Sequence, residues 1–168
     1  MTKKEEQMEH NTGIDTSNGK VISHDLAILL AEEYFLYLKT LNFHWNITGE
    51  NFIALHQLLE KQYDWLRVVI DDLAERIRAL GHIAPGTYKD YAAQASAVQE
   101  GQAEQSGLSM IKALVNSHEA VTRKMRDAIT KLKSSKDYAS EDMLIKILGQ
   151  HEKQAWILRS HIMRQPQE

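Results

Sequence analysis

The chain has 168 residues, 43% of them apolar and 26% charged, with a formal net charge of −3 at pH 7; that is the size and balance of one globular domain with a core of its own. It contains no cysteine, which excludes disulfides, thiolate catalysis and Cys-ligated zinc, so any metal must be held by histidine and carboxylates. The slight negative charge gives no general pull toward nucleic acid.

Residues 1–22 are polar, mixed in charge and without apolar periodicity, so they read as a flexible N-terminal tail. They lack the apolar stretch of a signal peptide, and the longest apolar run, Leu26 to Ala31, is far too short to span a bilayer. No membrane partner is expected, and the location read from this is cytoplasmic. Ser23 or Asp25 is placed to cap a first helix reaching about Asn46, and Thr48-Gly49-Glu50-Asn51 reads as a tight break. A second helix follows from about Asn51 to Leu80, with Leu55, Leu59, Leu66, Val69, Leu73, Ile77 and Leu80 on one stripe and Gly81 as its stop. Residues 84–107 form a long connection containing Pro85-Gly86 and one short helix within Tyr88 to Val98. A third long helix carries Leu108, Ile111, Leu114, Val115, Val121, Met125, Ile129 and Leu132 at helical spacing. Ser134-Ser135-Lys136-Asp137 breaks it, a fourth runs from about Ser140 to Met163, and residues 165–168 form a short C-terminal tail. Two helix pairs with short breaks, joined by one long crossover, have the connectivity of an all-α, ferritin-like four-helix bundle over residues 23–164.

The residues with metal-ligand chemistry are His44, His56, Glu60, Asp71 and Glu75. At about 100° per residue, helix two places His56, Glu60, Asp71 and Glu75 near 0°, 40°, 60° and 100°, while its apolar stripe centres near 265°. These side chains therefore share a face that points away from their own core. His56 and Asp71 are separated by about 22 Å of helix, whereas metal–ligand bonds are about 2.0–2.2 Å long. One chain cannot bring both to one ion. If they share a metal, a second copy of helix two must run antiparallel beside the first, making two equivalent sites per two-fold dimer. A plainer reading stands next to this one: Arg67–Asp71 and Glu75–Arg78 as surface ion pairs, and His44 as a packing or capping residue. No Glu is followed three residues later by His, so a di-iron centre inside one bundle lacks its usual Glu-x-x-His support. His10, His24, His82, His118, His151 and His161 show no partner spacing.

The segment Tyr37-Leu38-Lys39-Thr40-Leu41-Asn42-Phe43-His44-Trp45-Asn46-Ile47-Thr48-Gly49 resembles the hallmark of the Dps family of mini-ferritins. Phe52, Leu55-His56 and Ile70-Asp71-Asp72-Leu73-Ala74-Glu75-Arg76 continue the likeness without a gap, and Gln154-Ala155-Trp156-Ile157-Leu158-Arg159-Ser160 is a weaker echo. The resemblance implies a hollow homo-oligomeric shell, a dodecamer of two-fold dimers, with ferroxidase centres at the dimer interfaces. His44, His56 and the acid Glu60 would come from one subunit, Asp71 and Glu75 from its mate. It implies an oxidoreductase that oxidises Fe(II), with hydrogen peroxide as the favoured oxidant. Fe(III) would be stored as mineral, protecting the cell against oxidative stress. Trp45, adjacent to His44, is expected to pack on the site, with interception of radicals as its alternative role. Acids near the start of the last helix, here Asp137, Glu141 and Asp142, would line an iron pore; complementing the helix dipole is their alternative role.

The competing function is DNA binding and compaction by a nucleoid-associated protein. Phosphate binding needs several cationic contacts, but the N-terminal tail sets Lys3, Lys4 and Lys20 against Glu5, Glu6, Glu9 and Asp15. The C-terminal segment sets Arg159 and Arg164 against Glu168. A third reading is a structural helical oligomer in which the ligand-type residues only form ion pairs.

Overall fold

A computed structural model describes residues 12–99 and 106–162. The outer parts of both expected tails lie outside the described residues, with Lys3, Lys4, Glu5, Glu6, Glu9, Arg164 and Glu168. Among the described residues there are five helices: α1 (Thr16–Asn46), α2 (Phe52–Ala79), α3 (Tyr88–Gln94), α4 (Gly107–Leu132) and α5 (Tyr138–Ser160). The four long ones pack as two hairpins, α1 on α2 and α4 on α5. The hairpins close mainly through α1 against α4, and α3 lies on α1. None of these helices is long and apolar enough to cross a membrane.

The first helix begins earlier than the sequence suggested. Asp15, not Ser23 or Asp25, is the N-cap, its carboxylate accepting from the Ser17 amide at 2.8 Å. Gly19, within the stretch expected to be tail, is buried in the opening turns, close to Leu80 and His82. Ile22 and Leu26 then continue into the core, so tertiary packing outweighs a weak local signal.

The other boundaries follow recognisable chemistry. Gly49, at φ 112°, turns the chain between α1 and α2. Gly81, at φ 87°, ends α2: its amide donates to Arg78 O and that of His82 to Ile77 O, the Schellman pair of bonds. Thr87 and Asp90 form a capping box that starts α3. Leu59, Leu66 and Leu73 of α2 are fully buried against Leu30, Leu36, Leu114, Met125, Leu144 and Leu158. Each such side chain contributes about 1.5–3 kcal/mol of burial free energy.

Two buried charged residues fasten the crossover. The Glu32 carboxylate accepts from the backbone amides of Ser96, Ala97 and Val98 at 2.7–3.1 Å and from Lys124 Nζ at 2.6 Å. Burial alone would raise its pKa, but Lys124 and the three amides together hold it below the ordinary glutamate value. Lys39 donates to Gln99 O and Ser117 Oγ, both at 2.9 Å, and desolvation lowers its pKa.

Candidate metal centre

The Gly49 turn brings the last turn of α1 against the start of α2, and with it His44 against His56. The two imidazoles stack with centroids 3.8 Å apart and planes 20° off parallel. Each ring is held by the other residue's backbone: His44 Nδ1 bonds to His56 O at 2.9 Å, and His56 Nδ1 to His44 O at 3.0 Å. A carbonyl can only accept, so both Nδ1 atoms carry the proton. In the neutral rings this leaves Nε2 with the lone pair on both, the tautomer a metal-binding histidine needs. The edge of Tyr63 meets His44 at 5.1 Å and Phe52 leans on His56 at 5.1 Å. His44 is only 7% exposed, so the pair is preorganised by its own chain.

The acids lie elsewhere on α2. Glu60, one turn beyond His56, is exposed, and its carboxylate accepts from the Tyr63 hydroxyl at 3.5 Å. Asp71 and Glu75 are exposed further along. The ion pairs of the plainer reading are absent: no described residue forms a salt bridge with Asp71 or Glu75, and Arg78 instead donates to His82 O. Among the described residues, no three His, Asp or Glu side chains are grouped so as to hold a metal. A single chain thus presents two oriented imidazoles with a nearby carboxylate, and, about 22 Å further along the helix, two open carboxylates.

Trp45, which follows His44 in α1, is 69% exposed in the single chain, and Ile53 of α2 is 64% exposed. The acids at the start of α5 divide. Asp137 is 2% exposed and its carboxylate is occupied, capping Ser140 N and pairing with Arg76 Nη2 at 2.5 Å. Asp142 is exposed beside Lys146, and Glu141 is half-buried in the first turn. Asp137 is thus engaged within the fold, whereas the Asp142 carboxylate, paired with Lys146 Nζ at 2.6 Å, lies at the surface.

Sequence reasoning missed a buried polar chain inside the bundle. Glu33 Oε1 accepts from His151 Nε2 at 2.8 Å, and His151 Nδ1 shares a hydrogen bond with His118 Nδ1 at 2.9 Å. All three residues are 0% exposed. Burial, and then the neighbouring His151, push the His118 pKa well below the usual histidine value. Gln62 donates to Gln154 Oε1 nearby, and Trp65 packs its edge on His151. The signal lay in helical register, not histidine spacing: His118 is four residues after Leu114, and His151 four after Ile147, both core positions.

A family model described as a ferritin-like domain matches residues 24–166. A low temperature-induced protein of Nostoc is 36% identical over 140 residues, covering 83% of this chain and 78% of that protein. DNA protection during starvation protein 2 of Bacillus anthracis is 31% identical over 133 residues, covering 79% and 90% of the two chains. Among solved structures, a Vibrio cholerae Dps protein superposes with a TM-score of 0.87 at 27% identity, over 93% of this chain and 98% of that one; it is described as a ferritin-like diiron-carboxylate protein.

Proposed function

Because this chain belongs to the Dps branch of the ferritin-like family, we propose that it is an iron-storage and detoxification protein whose ferroxidase centres are completed between subunits. The observation that carries this reading is the reciprocal His44–His56 clamp, which turns two Nε2 lone pairs into an oriented half-site that, among the described residues, is not part of a complete metal-binding group. An antiparallel copy of α2 would supply Asp71 and Glu75, and two-fold symmetry would repeat the site. Imidazole suits Fe(II), and anionic oxygen stabilises the Fe(III) product. Such a donor set favours oxidation and then release of ferric ion toward carboxylate-lined surfaces. Glu60 is the further acid of the histidine half-site. Hydrogen peroxide is the oxidant we propose, and a dodecameric shell the container for the mineral.

The test is a His44→Gly/His56→Gly double variant. It should assemble to the wild-type mass and lose rapid peroxide-driven iron oxidation. Oxidation at the wild-type rate in a correctly assembled double variant would remove the assignment.

A further inference from the structure

Four of the six tyrosines form an unbroken line of ring contacts leading away from the histidine pair. Tyr63 of α2 meets His44 edge-on at 5.1 Å, and Tyr37 of α1 stands edge-on to Tyr63 at 6.4 Å. Tyr34, one turn back on α1, tilts against Tyr37 at 6.4 Å, and Tyr91 of α3 tilts against Tyr34 at 4.5 Å. The line crosses three helices and ends on Tyr91, which is 8% exposed. The two remaining tyrosines, Tyr88 and Tyr138, are 72% and 74% exposed. Packing explains each contact as an ordinary aromatic pair worth about 0.5–1.5 kcal/mol. It does not explain why every place in the line is filled by a phenol, which gives up an electron far more readily than a phenyl ring.

We propose that Tyr63, Tyr37, Tyr34 and Tyr91 form a one-electron relay that draws oxidising equivalents out of the metal centre, so that a radical formed there is quenched inside the protein. The inference rests on the iron-oxidation reading above. When a single ferrous ion meets hydrogen peroxide, Fe2+ + H2O2 gives Fe3+, HO− and a hydroxyl radical. The radical takes the hydrogen atom of the Tyr63 hydroxyl, forming water and the Tyr63 phenoxyl radical. Each following hop moves one electron and one proton from the next phenol to the phenoxyl before it, until the radical resides on Tyr91. A second ferrous ion then reduces it: phenoxyl radical, Fe2+ and H+ give phenol and Fe3+. In sum, two Fe2+, one H2O2 and one H+ give two Fe3+, one HO− and one water. The relay thus restores two-electron reduction of peroxide when iron ions arrive singly. Electron transfer weakens exponentially with distance, so rings in or near contact pass the charge in short hops. A phenylalanine in the line blocks it.

The test uses the assembled protein with one Fe(II) per subunit and hydrogen peroxide, read by freeze-quench electron paramagnetic resonance and by peptide mapping of oxidised tyrosines. The relay predicts a tyrosyl signal and oxidation of Tyr63 through buried Tyr91, with exposed Tyr88 and Tyr138 spared. Tyr37→Phe should cut oxidation of Tyr34 and Tyr91 severalfold and raise that of Tyr63, with assembly mass unchanged. Oxidation that follows exposure, or that Tyr37→Phe leaves unaltered, overturns the relay. A wild-type protein that oxidises no iron refutes the ferroxidase reading instead. The relay then stands or falls on a second measurement, made possible by the absence of native cysteine. A photo-oxidant attached at Asp64→Cys, beside Tyr63, should produce Tyr91 oxidation after a flash that Tyr37→Phe abolishes. Equal Tyr91 oxidation in both proteins overturns the relay without iron.

Discussion

Replacing Glu32 with alanine should loosen the crossover that carries α3 and, with it, Tyr91. The carboxylate is 0% exposed and serves three backbone amides and the Lys124 ammonium. Truncation leaves those donors without their acceptor and a cation without its partner. Removing one member of a buried, hydrogen-bonded ion pair costs about 3–5 kcal/mol, well above the roughly 0–1 kcal/mol of a surface pair. Thermal unfolding at fixed protein concentration should therefore show a clear loss, since assembly makes the midpoint concentration-dependent. The loss should also depend on pH. A carboxyl whose folded pKa lies below its unfolded value stabilises the fold fully above about pH 4.5 and loses that contribution as the pH falls through the folded value. The variant's stability should accordingly converge on that of the wild type in acid. A loss below about 1 kcal/mol at neutral pH, the range of an exposed pair, would refute the reasoning.

The buried His118 gives the opposite group but the same direction. It is a base held neutral by burial, so the unfolded chain binds a proton that the native chain refuses. Its stabilising effect is present above about pH 6.5 and is lost as the pH falls, and His118→Leu should flatten stability between pH 7.5 and 5.5 relative to wild type. An unchanged slope in thermal melts would count against a buried neutral His118. Asp142→Asn should slow iron uptake severalfold without changing assembly mass if that exposed acid lines a pore; a normal uptake rate contradicts the pore role. The short basic content of the chain ends predicts weak DNA binding, so a mobility-shift assay at low salt should show no tight, salt-sensitive complex. Such a complex would favour the nucleoid reading.

The bundle was legible because its apolar periodicity is strong: Leu55 through Ile77 were assigned to the core stripe of α2 and are buried there. The start of α1 was not, because Asp15, Gly19 and Lys20 are locally indistinguishable from a loop until Ile22 and Leu26 find the core. At the candidate centre, helix geometry placed His56, Asp71 and Glu75 on an outward face and showed that one chain cannot unite them. It could not show the reciprocal Nδ1–carbonyl clamp, which depends on how two backbones meet across a turn. Glu33, His118 and His151 escaped notice because their partnership joins three different helices, which no spacing within one helix reveals.

The inter-subunit centre is tested most directly by complementation. One subunit carries His44→Gly/His56→Gly and the other Asp71→Ala/Glu75→Ala, and each alone should assemble without rapid iron oxidation. Mixed dimers would contain one doubly defective site and one intact site, because His44 and His56 of the second chain meet Asp71 and Glu75 of the first. Random co-assembly should then restore iron oxidation to about a quarter of the wild-type number of sites. If the centre lay within one subunit, every site would remain defective, and no recovery above the two parent variants would contradict the account.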